Sequence, residues 1–169
     1  MRNKIIKVAL LGKNHPGFIS SFTKIIYDQG ANIEKSKMVA YGDQFLINLQ
    51  VNTPKSFDTK IFDYTYFDNV KPKNTTTFKK IDSYDVNLAM NLADTPGIIH
   101  NTAKIFAEYN CNINKLSSDT ELSAFSNIPL FKLDMTVSVP KVVTINEIEE
   151  QISENQFISG VTVLKKINT

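Results

Sequence analysis

The feature that most constrains this chain is that it is written twice. A shift of 80 residues lays Asn14-His15-Pro16-Gly17 on Asp94-Thr95-Pro96-Gly97 and Asn32-Ile33 on Asn112-Ile113. In the same frame Ala9 meets Ala89, Lys24 meets Lys104, Ile25 meets Ile105 and Lys35 meets Lys115, and apolar positions between them mostly meet apolar ones. Self-similarity at a fixed spacing marks a repeated structural unit. The 169 residues therefore divide into two small modules, 1–81 and 82–169, with the linker near Lys80 to Asp85. Modules of this size bury too little surface alone, so they are expected to pack together or to dimerise through open sheet edges.

Each copy opens with an apolar run, Ile5 to Leu11 and Val86 to Leu92, short enough for a strand and followed by a polar Pro-Gly turn. Phe18, Phe22, Ile25 and Ile26 in the first copy, and Ile98, Ile105, Phe106 and Tyr109 in the second, then fall on one face of a helix of about three turns. Gly30 and Asn110 stand where a left-handed residue closes a helix. In the first copy the segment after Asn32, the Gly42-Asp43 turn and Gln44 to Val51 read as a hairpin. In the second, Asn112 to Ser118 and Leu130 to Val139 are the strands, with a loop over Asp119 to Pro129. A second helix is expected in each copy: Phe57, Ile61 and Tyr64 share one face, as do Ile145, Ile148 and Ile152 after the capping-box pair Thr144 and Glu147. Thr75 to Ile81 and Gly160 to Ile167 close the units. The expected class is α+β: two tandem ferredoxin-like βαββαβ modules, antiparallel sheets with helices on one face.

Composition removes several function classes. With 19 Lys and Arg against 17 Asp and Glu, spread along the chain, there is no basic footprint for direct nucleic-acid binding. The lone Cys111 makes no internal disulfide, and no Cys/His spacing suits a structural metal. No signal peptide and no apolar run of about 18 residues appears, so a membrane role is not expected and the chain is read as cytoplasmic. No Gly-rich phosphate cradle and no organised nucleophile with its base are visible, so neither cofactor nor catalysis is expected. Cys111 reads as a small core residue, with a dyad to His100 as the alternative. The aromatics Phe57, Phe62, Tyr64, Tyr66 and Phe67 read as cover for the first sheet, with Tyr66 and Phe67 also open to a partner. The Ser-rich stretch from Ser117 to Ser126 is either a hairpin tip or a surface that reads a partner.

In this order of elements, the two Pro-Gly loops and the two Asn-Ile strand starts resemble the ACT domain, whose opening commonly reads Asp-x-Pro-Gly with an Asn-Ile pair beginning the second strand. Among tandem ACT proteins the chain most resembles the glycine-cleavage-system transcriptional repressor family, on its long second hairpin loop running into Pro129-Leu130-Phe131 and its strand ending in Val139-Pro140. The resemblance implies regulation of a transcription factor by protein contact, tuned by a small amino acid. The first copy departs from the motif, with Asn14 in the Asp position.

A Pro-Gly turn running into a helix presents unpaired backbone N–H groups at the positive end of the helix dipole, which suits a carboxylate. In the second copy Gly97 would let the backbone approach closely, Asp94 would take an ammonium, Thr95 would donate a hydroxyl, and Asn112 would offer both donor and acceptor, with Pro96 and Ile98 completing the turn and helix start. The first copy offers Asn14, His15, Gly17 and Asn32, without the charge of Asp94. The plainer reading of the same residues is an N-cap and a turn. Three functions fit: a ligand-tuned regulator acting on a transcription regulator, a dissociable regulatory subunit of an amino-acid biosynthetic enzyme, or a ligand-free interaction module.

Overall fold

A computed structural model describes residues 3–63, 82–123, 128–155, 158 and 162–168. Strand β1 (Lys4–Lys13) turns Ile6, Val8 and Leu10 to the core by simple alternation. Helix α1 (Phe18–Asp28) buries Phe18, Ile19, Phe22 and Ile26. It ends because Gly30 takes φ 72°, and the N–H groups of Gly30 and Ala31 return to the carbonyls of Tyr27 and Ile26. Strands β2 (Asn32–Tyr41) and β3 (Gln44–Thr53) form the hairpin around Gly42-Asp43. The second repeat follows the same course: β4 (Ser83–Ala93), α2 (Ile98–Glu108), β5 (Asn112–Leu122) and β6 (Pro129–Pro140). Asn110, at φ 55°, closes α2 with the bond pattern that Gly30 gives α1. Helix α3 (Ile145–Glu154) and β7 (Thr162–Asn168) complete it.

The strands form one antiparallel sheet of order β1-β3-β2-β5-β6-β4-β7. Its middle is the pairing of β2 with β5, which joins the repeats. Lys37 lies directly opposite its repeat equivalent Ser117, so a pseudo-twofold axis passes between them. On the core side of this seam Met38 faces Leu116, both fully buried, and the buried hydroxyls of Ser36 and Ser118 are 2.6 Å apart. Helices α1 and α2 pack side by side above it, so a single apolar cluster runs through both repeats. Among the described residues no helix is long and apolar enough to cross a membrane.

Three sequence expectations shift. The loop foreseen over Asp119 to Pro129 is mostly strand: Asp119 to Leu122 pair with Lys132 to Pro129, leaving only Ser123 to Ile128 between the strands. Lys132 is held to Glu121 at 2.6 Å and Phe131 is fully buried, which favours continuing the ladder over a polar loop. Of the foreseen linker, Ser83 to Asp85 already belong to β4, while Lys80 and Ile81 lie outside the described residues. Where the second helix of the first copy is expected, the described residues form a 3₁₀ turn at Thr59–Phe62, set up by the Pro54 carbonyl accepting from Phe57 and by Asp58 accepting from the Lys60 N–H. Ile61 is buried there, with Phe57 against Phe62 at a centroid distance of 5.8 Å. Tyr64, Tyr66, Phe67 and the closing strand Thr75 to Ile81 lie outside the described residues.

The capping box forms as its spacing predicts. The N–H and the hydroxyl of Thr144 both donate to Glu147 Oε2 at 2.8 Å, and these bonds hold the Glu147 carboxyl below its ordinary value of 4.5. A depressed folded value means that the cap contributes stability above the unfolded pKa and loses it as pH falls through the folded one. The stability difference between the chain and Glu147→Gln should therefore shrink as pH drops below about 4.5, the carboxyl's ordinary value. Denaturant midpoints measured from neutral to acid pH check this.

Candidate functional site

The two Pro-Gly loops are type II turns. Phe18 N–H donates to the His15 carbonyl and Ile98 N–H to the Thr95 carbonyl, with Pro in the second position and Gly17 and Gly97 at φ 81° in the third. The helix amides left without intrahelical partners then start at Ile19 and at Ile99.

Because the repeats lie side by side, the structure regroups the expected site residues crosswise. Asn112, expected beside Asp94, donates instead to Asn14 Oδ1 at 3.1 Å, in the loop of the other repeat. Asn32, expected beside Asn14, shares a small space with Gly97, Tyr27 and His100. The reason lies in the seam: antiparallel pairing of β2 with β5 points the start of each strand at the opposite repeat's loop.

The two loops differ in chemistry. At the first, Asn14 is fully used: its amide nitrogen donates to the Gly42 carbonyl, its oxygen accepts from Asn112, and its backbone N–H reaches the Asp43 carbonyl. His15 turns back on its own loop, its Nδ1 donating to the Pro16 carbonyl, and its ring meets Phe18 edge-on. At the second loop, Asp94 Oδ1 and Thr95 Oγ1 are shut off from solvent with no hydrogen-bond partner among the described residues, and Asp94 Oδ2 accepts from the Thr120 hydroxyl at 3.5 Å. Such unmet groups cost about 1–3 kcal/mol each, more when charged, unless a donor or acceptor reaches them.

The helix positions over the loops differ as well. Above Gly17 stands Ala107; above Gly97 stands its repeat equivalent Tyr27, 39 % exposed and stacked on His100 at 6.3 Å. The space between Tyr27, Asn32 and the Gly97 turn is only about 10 Å³. Sequence reading missed Tyr27 and Thr120 and weighed His100 only as a partner for Cys111. Comparing position 27 with position 107 in the repeat frame would have flagged the first of them.

His100 and Cys111 do not form a dyad. His100 Nδ1 donates to the Ser20 carbonyl of α1 at 2.9 Å, which ties the two helices together. Cys111 is buried and its thiol donates to the Tyr109 carbonyl at 3.8 Å; burial pushes its pKa up to about 12, so at neutral pH it is a thiol and a poor nucleophile. Among the described residues no group of three or more His, Cys, Asp or Glu could hold a metal ion.

Residues 4–63 match the family model of the ACT domain. The matched segment spans most of the first repeat, and the second repeat follows the same course of strands and helix, so the fold is that of two tandem ferredoxin-like modules. Among solved structures, aspartate kinase from Synechocystis aligns over 96% of this chain and 28% of its own, at 16% identity and a TM-score of 0.60, a likeness of fold. An unknown protein from Galdieria sulphuraria aligns over 99% of this chain and 100% of its own at 19% identity and a TM-score of 0.42. A protein provisionally described as a glycine cleavage system transcriptional repressor aligns over 99% and 98% at 16% identity and a TM-score of 0.42. No curated protein matches.

Proposed function

We propose that this chain is a non-catalytic, cytoplasmic regulator that senses a small amino acid at the 94–97 loop and signals to a protein partner, as in control of glycine cleavage. Its modules are taken as 1–81 and 82–169. The observation that carries the reading is the buried pair Asp94 Oδ1 and Thr95 Oγ1, without a partner among the described residues, at a turn that opens a helix in an ACT-type module. An ammonium satisfies Asp94, a carboxylate meets the free amides of Ile99 and His100, and Asn32 on the facing repeat supplies further hydrogen bonds. Tyr27, exposed in the last turn of α1, must swing off Gly97 to admit the ligand. Since the site is made from both repeats, occupancy changes how they pack, and a partner that prefers one packing reads the change. The first loop, with Asn14 already satisfied, is read as structural.

The test is a thermal-stability panel of free amino acids, glycine and serine included, on the chain and on Asp94→Ala. One amino acid is expected to raise stability, by about 2.7 kcal/mol at a hundredfold excess over its Kd, and the gain should vanish in Asp94→Ala. No rise with any amino acid would leave a ligand-free interaction module as the better reading.

A further inference from the structure

Among the described residues, helices α1, α2 and α3 lie on one face of the sheet, and the other face, across β1, β3, β2, β5, β6 and β4, is uncovered. The register lays one row straight across it: Ala9, Asn48, Lys37, Ser117, Asp134 and Ala89, passing through the pseudo-twofold axis. The small residues in this row leave two hollows of about 500 Å³, one on either side of the axis.

The pseudo-symmetry of the backbone is broken by charge. Among the described residues of the first repeat, alternation brings Lys7, Lys13, Lys35 and Lys37 to this face against one carboxylate, Glu34. On the other half, over β4, β5 and β6, it brings Asp85, Asp119, Glu121 and Asp134 against Lys115 and Lys132. Lys35 pairs with Asp119 and Lys132 with Glu121, whereas among the described residues Lys7, Lys37 and Asp134 make no ion pair within 4.0 Å. A flat surface with a positive half and a negative half is complementary to itself.

We propose that this uncovered face docks a second copy of the same chain, turned so that the lysine-rich half of each lies on the carboxylate-rich half of the other. Face-to-face sheets pack aligned, about 10 Å apart. Two twofold axes in the interface plane keep the strands aligned. An axis across the strands sets like repeats on each other, and an axis along the strands sets unlike repeats on each other. Charge selects the second. In that arrangement Lys37 of one copy comes over Ser117 of the other, whose small side chain leaves it room to reach Asp134 on the next strand, and the contact occurs twice by symmetry. At roughly 4.8 Å between strands and 3.3 Å per residue the face offers on the order of 900 Å² per copy, the size of a standard stable interface. This surface is separate from the 94–97 loop, and the proposal does not rest on a ligand.

Sedimentation velocity on the full chain at low and high salt tests it, with circular dichroism as the check on folding. The expected result is a dimer that weakens with salt, weakens about tenfold or more in Kd in Lys37→Glu and again in Asp134→Lys, and is restored in the double variant. A monomer at every concentration up to hundreds of micromolar overturns the proposal. So does a dimer indifferent to salt and to both substitutions, which would place the contact on the sheet edges or the helices, and so does a double variant that fails to regain affinity.

Discussion

Gly97→Ala is expected to destabilise the chain more than Gly17→Ala, and Tyr27→Ala is expected to abolish the difference. Both glycines sit at φ 81°, where an alanine costs about 1–3 kcal/mol of backbone strain. What lies above them differs. A Cβ at position 17 would come to 3.7 Å from the Ala107 methyl, an ordinary contact, whereas one at position 97 would lie 2.7 Å from Tyr27 Cδ2. The tyrosine must leave its stacked position on His100 to make room, at about 1–3 kcal/mol more by the usual cost of overpacking. In the Tyr27→Ala background only the common backbone strain remains. Denaturant unfolding of the five variants measures this, and equal losses for the two glycines in the parent chain would show that Tyr27 does not rest on the turn.

Phe106→Ala should cost about 3–5 kcal/mol, a large part of the 5–15 kcal/mol that holds a typical domain together. Phe106 is fully buried on α2, in the apolar cluster that runs through both repeats. Its effect should be felt in the first repeat as strongly as in the second. The β2–β5 ladder, the buried Met38–Leu116 contact and the α1–α2 packing leave no plane along which one repeat separates with its core intact. Hydrogen exchange of the β3 and β6 amides in denaturant is the measurement. Equal loss of protection in both strands is expected, and β3 amides untouched by the substitution would mean that the repeats unfold independently.

Much of the fold was legible in the sequence because its signals are local. Alternation gave the strands, three-to-four spacing gave α1 and α2, and the residues able to take positive φ, Gly30, Gly42 and Asn110, stood at the turns where the backbone requires it. Thr144 and Glu147 announced α3 because a capping box is complete within four residues. The length of the second hairpin was misjudged because Asp119 to Leu122 look like a loop by polarity. Their strand character comes from partners about ten residues away, Lys132 with Glu121 and the buried Phe131, which no local window contains.

That the chain repeats one unit, where its turns fall and which loop keeps a carboxylate at its helix start could all be read from the order of residues, because each depends on positions a few apart or on one comparison at a fixed shift. How the two copies meet is a matter of packing. That they share one sheet, that Asn112 bonds to the first loop while Asn32 lies near the second, and that Tyr27 stands over Gly97 where Ala107 leaves Gly17 open all follow from the register of β2 on β5. That register is set by which side chains are buried on both strands at once: Ser36 against Ser118 and Met38 against Leu116. A slip of β5 by one residue would turn Leu116 and Ser118 to the opposite face while Ser36 and Met38 stayed buried, a condition joining residues some eighty positions apart and written in neither strand alone.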